Sequence, residues 1–380
     1  MKFCKKCVQP NTRPMIFFND EGVCGACLYQ EQIDKINWQE REKELQNIVN
    51  WAKEEAKRKG IMYDCVIGVS GGKDSTLQAI YARDKLGLNP LLVNAIPSKI
   101  TTVGQHNIDN LAQLGFDIIK ICPDPNILKQ LMKRDFYKFG NPQKVTEYVL
   151  WASTPQIAIA FKIPLIIQGE NAGLTLGVKK GLGSDGDATK VSQCNTLAGG
   201  DAFTEYAETV DSKKLSLYDV PNTEKIENAG IRAIWLQYYL KEWSQENNAK
   251  FAIAHGLQVR SDEEMIGAGR YKKYFCLDDN LNIVNQLLKY IKFGFGFATD
   301  EACYDIRANL ITRDQGIALI KKYDGKCAPK YIREFCEFLC ITEKEFWRVA
   351  NSFRGSMWRK NEKGEWLLKN TLWNTKNEKE

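Results

Sequence analysis

Seven consecutive residues, Ser70-Gly71-Gly72-Lys73-Asp74-Ser75-Thr76, have the types needed to hold phosphate. Gly71 and Gly72 lack a Cβ, so their backbone can turn sharply and approach a ligand closely. Successive backbone N–H groups leading into a helix form a cradle for an anion. The hydroxyls of Ser70, Ser75 and Thr76 add donors, and Lys73 adds a point charge. Asp74 either braces the loop or positions a metal. The P-loop of kinases and GTPases needs four residues between its glycines and Lys-Ser/Thr after the second, and a dinucleotide fingerprint needs G-x-G-x-x-G; this stretch is neither. A second group is the pair of knuckles Cys4-x2-Cys7 and Cys24-x2-Cys27, with sixteen residues between them. Four thiolates so spaced close a tetrahedral zinc cage with no open position, which points to a structural metal. The metal would stand in for a core that so short a segment can hardly build. An iron–sulfur cluster and a redox-active pair are the lesser readings.

Both groups need a frame. Leu45, Ile48, Val49, Ala52 and Ala56 recur at helical spacing, and Gly60 follows where a C-terminal cap belongs. Beyond it, short apolar runs alternate with helical patterns. Strands are predicted over 64–69, 90–96, 117–121 and 164–169, and helices over 75–86, 102–114, 126–139 and 144–161. That alternation implies right-handed crossovers and a parallel sheet covered on both faces. The glycine loop then lies at the carboxyl edge, where such sheets present ligand sites. The stretch 173–203 is rich in Gly, Asp, Ser and Thr and reads as a lid or a surface insertion. Further on, helices are predicted at 281–291, 313–323 and 342–353, the last opening on the capping pattern Thr342-x-x-Glu345. From Lys360 the chain is polar and expected to fray. The expected fold is α/β: a four-cysteine, zinc-ribbon-like module (1–36), a linker helix (37–62), a nucleotide domain with a parallel sheet (63–210), and a mainly helical substrate or partner region (211–380).

The chain has 380 residues, 44% of them hydrophobic, which is enough for one large or two modest cores. No window approaches the roughly 18 apolar residues of a membrane span. The basic start Met1-Lys2 has no apolar run behind it, so no secretory signal is read and the cytoplasm is the expected compartment. In that setting twelve cysteines point to metal or catalysis rather than disulfides. A net charge of +6 is mild and gives little support to a nucleic-acid partner. The two histidines are His106, after the second predicted strand and a candidate substrate contact, and His255.

Ser70, Gly71, Gly72, Asp74 and Ser75 match the SGGxDS signature of the PP-loop ATP pyrophosphatases. That resemblance implies ATP cleavage between the α- and β-phosphates, with AMP passed to a substrate oxygen. It places adenine on the backbone of Val93-Asn94-Ala95-Ile96, and Mg²⁺ at Gly169-Glu170-Asn171. The nucleotide-binding set is then Ser70 to Thr76, Asn94, Ala95, Gly169 and Glu170, with Lys73, Asp74 and Glu170 catalytic. Over more of its length the chain resembles the N-acetyl sugar amidotransferases of bacterial surface-glycan biosynthesis. The matches are Cys4-Lys5-Lys6-Cys7-Val8, Thr12-Arg13-Pro14, Gly22-Val23-Cys24-Gly25-Ala26-Cys27, the glycine loop, Gly169-Glu170-Asn171, Lys292-Phe293-Gly294-Phe295-Gly296, Ala298-Thr299-Asp300 and Tyr323-Asp324-Gly325. Phe297 stands where that family commonly has Arg.

The resemblance implies that a sugar N-acetyl group becomes an acetamidino group: its oxygen is adenylated and ammonia displaces AMP. Pseudaminic and related nonulosonic acids on flagellin, and uronic acids in the O-antigen of lipopolysaccharide, are the settings implied. No glutaminase motif is evident, and Lys2 rather than Cys follows Met1. Ammonia is therefore expected from a separate glutaminase subunit, with or without a cyclase-like one. The substrate implied is an N-acetylated sugar, free, nucleotide-linked or lipid-linked. Tyr271, Tyr274, Phe293 and Phe295 are candidates to stack on it, with core packing as the alternative. Lys292, Arg307 and Arg313 are candidates for an acidic sugar carboxylate, with surface charge as the alternative. Two rival readings are a tRNA-thiolating PP-loop enzyme, with Cys122 and Cys194 in loops that could face the site, and a non-catalytic ATP-binding scaffold.

Overall fold

Strand β1 (Cys65–Gly68) carries no polar side chain, and Cys65, Val66 and Ile67 have no exposed surface. A strand apolar on both sides needs a layer above and a layer below. The computed structural model, which describes residues 1–178, 185–189, 197 and 200–374, supplies both. β1 is the centre of a five-stranded, wholly parallel sheet with β2 (Pro90–Ala95), β3 (Ile118–Ile121), β4 (Leu165–Gln168) and β5 (Arg232–Trp235), in the order β3-β2-β1-β4-β5. The winding reverses direction on either side of β1. The carboxyl ends of β1 and β4 therefore flank a topological switch point, the usual place for a ligand in an open parallel sheet.

Helices of eight or more residues are numbered here: α1 (Gly25–Gln32), α2 (Trp38–Lys59), α3 (Lys73–Asp84), α4 (Thr102–Gln113), α5 (Pro125–Phe139), α6 (Lys144–Phe161), α7 (Gln245–Ala254), α8 (Leu281–Phe293), α9 (Phe297–Arg307), α10 (Arg313–Tyr323), α11 (Pro329–Leu339) and α12 (Glu343–Ser352). One sheet face is covered by α2, α3 and α4. The five residues of α2 whose spacing predicted a helix are all buried, and Gly60 ends it at φ 68°. The other face is packed by α6. The largest core joins α5 and α6 to α8, α11 and α12, with Phe136 stacked on Phe346 at 5.6 Å. No described helix is long and apolar enough to cross a membrane.

Two expectations change. The sheet does not end with β4: β5 pairs with it in parallel and carries the α/β unit past the boundary expected at residue 210. Its run, Ile231 to Trp235, is too short to show a period, and a helical turn follows at once. The tail does not fray at Lys360. Residues Trp358–Lys360 pair antiparallel with Trp366–Leu368, and the Trp358 indole donates to the Ile291 carbonyl at 2.8 Å.

The C-terminal helices are bound to the cysteine segment. Cys4, Cys7, Val8, Cys24 and Cys27 share a core with Ala302, Cys303 and Ile320. Three of the short motifs read from the sequence converge beside it. The Asp324 carboxylate accepts from the backbone N–H groups of Gly296 (2.8 Å) and Thr299 (3.1 Å) and from the Thr299 hydroxyl, which satisfies the free donors at the start of α9. Next to it, buried Asp300 pairs with both Arg13 and Lys289.

Candidate nucleotide and metal sites

Gly71 is at φ +73°, and a Cβ there would lie 3.1 Å from that of Asn107 and 3.2 Å from the Ile108 nitrogen. A side chain is thus excluded both by the turn and by the closeness of α4. Gly72 then opens α3, its carbonyl accepting from the Ser75 hydroxyl (3.1 Å) and the Thr76 N–H (3.0 Å). The start of α3 offers its free N–H groups toward the switch point. Ser70 is half-buried, while Ser75 and Thr76 are buried.

The charged residues of the site meet at the ends of β1 and β4. Lys73 is buried, with its ammonium 2.6 Å from Asp74 and 4.4 Å from the centre of the Phe275 ring. The other Asp74 oxygen accepts from the Asn248 amide at 2.7 Å. Glu170 follows β4 and Gly169, and accepts from the Gln245 amide. Gln245 and Asn248 lie three residues apart on α7, so one helix face serves both carboxylates. Sequence reading missed both, as well as Phe275. The only local signal was an unexceptional polar run, Gln245 to Asn248, at the start of a helix.

Burial, followed by the charge of Asp74, pushes the Glu170 carboxyl up to about 7, against the opposing pull of Lys73, Gln245 and Arg307. Two carboxylate groups held near one another at a phosphate cradle are a donor set suited to Mg²⁺, a cation that prefers a few carboxylates plus phosphate oxygens. This has a measurable consequence. Folded Glu170 holds its proton more tightly than the unfolded chain does, so stability without metal falls as pH rises from about 4.5 to about 7. Mg²⁺ should offset that loss at neutral pH, and Glu170→Gln should abolish both the loss and the Mg²⁺ response. Thermal unfolding across this range, with and without Mg²⁺, checks it; a variant still stabilised by Mg²⁺ like its parent refutes it.

The rest of the expected nucleotide set divides in two. The Asn94 side-chain amide is used internally, donating to the Val69 carbonyl at 2.7 Å and bracing the loop, whereas the contact expected of this segment is through its backbone. Ala95, with Ile96 and Pro97, lines a cavity at the end of β2 whose far wall includes Gln143, Cys276 and Asn282.

The four N-terminal thiols are all buried, and their sulfur atoms lie within 4.8 Å of one another. The Cys4–Cys27 and Cys7–Cys24 separations are 3.9 and 3.7 Å. A tetrahedron with zinc–sulfur bonds near 2.3 Å has edges of about 3.8 Å, so these residues fit such an ion. Backbone N–H groups of Cys24 and Gln9 donate to the sulfurs of Cys4 (3.3 Å) and Cys7 (3.4 Å).

Several sugar-contact candidates make bonds within the protein. Arg313 donates to the carbonyls of Cys7 (3.1 Å) and Cys4 (3.5 Å), and Arg307 to that of Thr175 (2.9 Å). Both tie the cysteine segment and its surroundings together, so part of each guanidinium's donor set is committed to the backbone. The Tyr271 hydroxyl donates to Asp305 and that of Tyr274 to Glu246. Phe295 is buried beneath the Arg13 guanidinium. Phe297 has a cation against its ring: the Arg270 guanidinium lies 4.7 Å from its centre. His106 is exposed on α4, and Cys122 is exposed. Cys194 and much of the 173–203 stretch lie outside the described residues.

Residues 268–373 match the family described as the C-terminal domain of WbpG-like LPS biosynthesis proteins. An uncharacterized protein of Methanocaldococcus jannaschii is 32% identical over 91 residues, a stretch that covers 24% of this chain and 31% of that relative's length. Among solved structures, the NH3-dependent NAD synthetase of Campylobacter jejuni aligns over 60% of this chain and 99% of its own, at 14% identity and a TM-score of 0.29.

Proposed function

We propose that this chain is an ATP-dependent amidotransferase of surface-glycan biosynthesis that turns a sugar N-acetyl group into an acetamidino group. The observation that carries the reading is the placing of the Ser70–Thr76 cradle and the Asp74–Glu170 pair at one switch point of a parallel sheet. The match of residues 268–373 to a lipopolysaccharide-biosynthesis domain supports the choice of a glycan over other acceptors.

In this reading the N–H groups of the loop and the start of α3 hold the phosphates, and Lys73 sets a positive charge beside them. The amide oxygen of the acceptor attacks the α-phosphorus of ATP, and the bond to the β-phosphate oxygen breaks with loss of pyrophosphate. Ammonia then adds to the amide carbon, AMP leaves with the former amide oxygen, and protons are lost from nitrogen. An amide oxygen is a poor leaving group and AMP a good one, so the protein chiefly positions the reactants and offsets charge. Asp74 and Glu170 would hold Mg²⁺, and the ion would supply positive charge to offset that of the leaving pyrophosphate. Cys4, Cys7, Cys24 and Cys27 would hold a structural Zn²⁺. Ammonia would come from a separate glutaminase subunit.

The test is product analysis with Mg²⁺-ATP, ammonium and a panel of N-acetylated sugars, including CMP- and UDP-linked forms. Sugar-dependent AMP and pyrophosphate, with NH in place of O in the sugar product, is the expected result. ADP as product overturns the mechanism, and AMP release only with tRNA moves the assignment to RNA modification. Equal turnover with glutamine alone removes the need for a partner.

A further inference from the structure

A second cavity adjoins the one at the end of β2 and shares Gln143, Glu147 and Asn282 with it. Its walls come from the start of α6, from α8 and from the Arg13 segment. Of the four cations on its lining, three have acidic partners. Arg13 and Lys289 share Asp300, and Lys144 is 2.6 Å from Glu205. Lys292 differs. Its ammonium donates to the Phe139 carbonyl and has no carboxylate partner among the described residues. Burial lowers its pKa, and no neighbouring acid opposes that shift. An enclosed ammonium without a counterion is costly, and a bound anion would relieve the cost.

Two more groups on the same lining are incomplete. The side-chain carbonyl oxygens of Asn141 and Gln286 are buried and receive no hydrogen bond from the protein. Both are acceptors only, so they call for donors such as hydroxyl groups. The Phe293 ring adds an apolar surface, with the Lys292 ammonium 5.1 Å from its centre. A cation, two vacant acceptors and an aromatic face share one cavity with Glu147, whose carboxyl accepts from the Trp151 indole at 3.0 Å and is pushed toward its neutral form by burial, so the lining is complementary to an anionic, polyhydroxylated ring.

We propose that this cavity is a carbohydrate subsite in which Lys292 receives an acidic group of the sugar, either a carboxylate on the ring or a phosphate on the anomeric oxygen. Its role as the acceptor site rests on the amidotransferase reading; its capacity to bind an acidic sugar does not. Through the shared wall of Gln143 and Asn282 the ring would extend toward the end of β2. Cys276 lines that cavity, and the neighbouring Phe275 ring contacts Lys73.

Calorimetric titration of the full chain with three probes tests this without ATP: N-acetylglucosamine, its uronic acid and its 1-phosphate. At least one acidic probe should bind about tenfold or more tighter than the neutral sugar. Which one does so identifies the source of the charge. Lys292→Met keeps the alkyl stem and should erase that preference while leaving the neutral sugar unchanged. Asn141→Ala, read independently of any folding defect in the first variant, should weaken all three probes. Absence of binding, equal binding of neutral and acidic probes by the parent, or an intact preference in Lys292→Met would overturn the proposal. If the binding pattern holds but no sugar triggers AMP release, the amidotransferase reading fails and the subsite stands.

Discussion

Asp74→Asn is expected to lower AMP formation by about a thousandfold or more, on the scale of losing a central electrostatic contact in a reaction governed by phosphate charge. The side chain keeps its shape and loses only its charge, but that charge is used twice. Asp74 is the ion-pair partner of the buried Lys73 at 2.6 Å, and it faces Glu170 across the proposed metal site. Without it Mg²⁺ loses one of two carboxylates, and Lys73 is left buried without a counterion. The Asn248 amide, which donates to Asp74, would then face an oxygen or an NH₂ group according to the rotamer chosen. Single-turnover assays of AMP release, paired with thermal unfolding, separate chemistry from folding. Activity within about tenfold of the parent would remove Asp74 from the machinery.

Loss of the N-terminal metal should have the largest effect on stability. Parent protein is expected to hold one equivalent of zinc by elemental analysis, and Cys7→Ser none. Structural zinc sites contribute on the order of 10 kcal/mol of binding free energy at neutral pH, only part of which survives as net stability. A fall in unfolding midpoint of roughly 10 °C or more is expected for a chain of this size. The effect should not stay local. The cysteines share their core with α9 and α10, and Arg307 at the end of α9 holds the Thr175 carbonyl a few residues beyond Glu170. The metal-free variant should therefore also lose Mg²⁺-dependent stabilisation. Stoichiometric iron with visible absorption would reassign the cage as an iron–sulfur site, and unchanged stability would make the cluster dispensable.

The parts of the site that depend on local chain chemistry were legible in the sequence. A glycine pair between an apolar run and a helical period marks the turn into α3 at the sheet's carboxyl edge, and two knuckles mark four sulfur atoms that meet, because each is determined within a few residues. The supporting parts were not. Gln245 and Asn248 reach the two carboxylates from a helix that follows the last strand, and nothing in their own neighbourhood marks them. The bracing role of the Asn94 side chain on the Val69 carbonyl was likewise not visible, because Asn94 lies on β2 and Val69 just past the end of β1. Arg307 and Arg313 read as carboxylate binders or as surface charge because a sequence does not show which backbone carbonyls will lie opposite them. Strand β5 escaped notice for a related reason: so short an apolar run acquires its identity from the strand it pairs with.

The shared core of the cysteine segment and α9–α10 has a consequence for synthesis. Arg313 is separated from its Cys7 partner by 306 positions. At about 5–20 residues per second, the knuckles leave the ribosome roughly 15–60 s before the surface that covers them has been translated. For that interval four thiols are open to oxidation and to the wrong metal. A metal held by these four thiols, as proposed above, would protect them during that interval only if it bound to the knuckles alone, with the late helices then covering it.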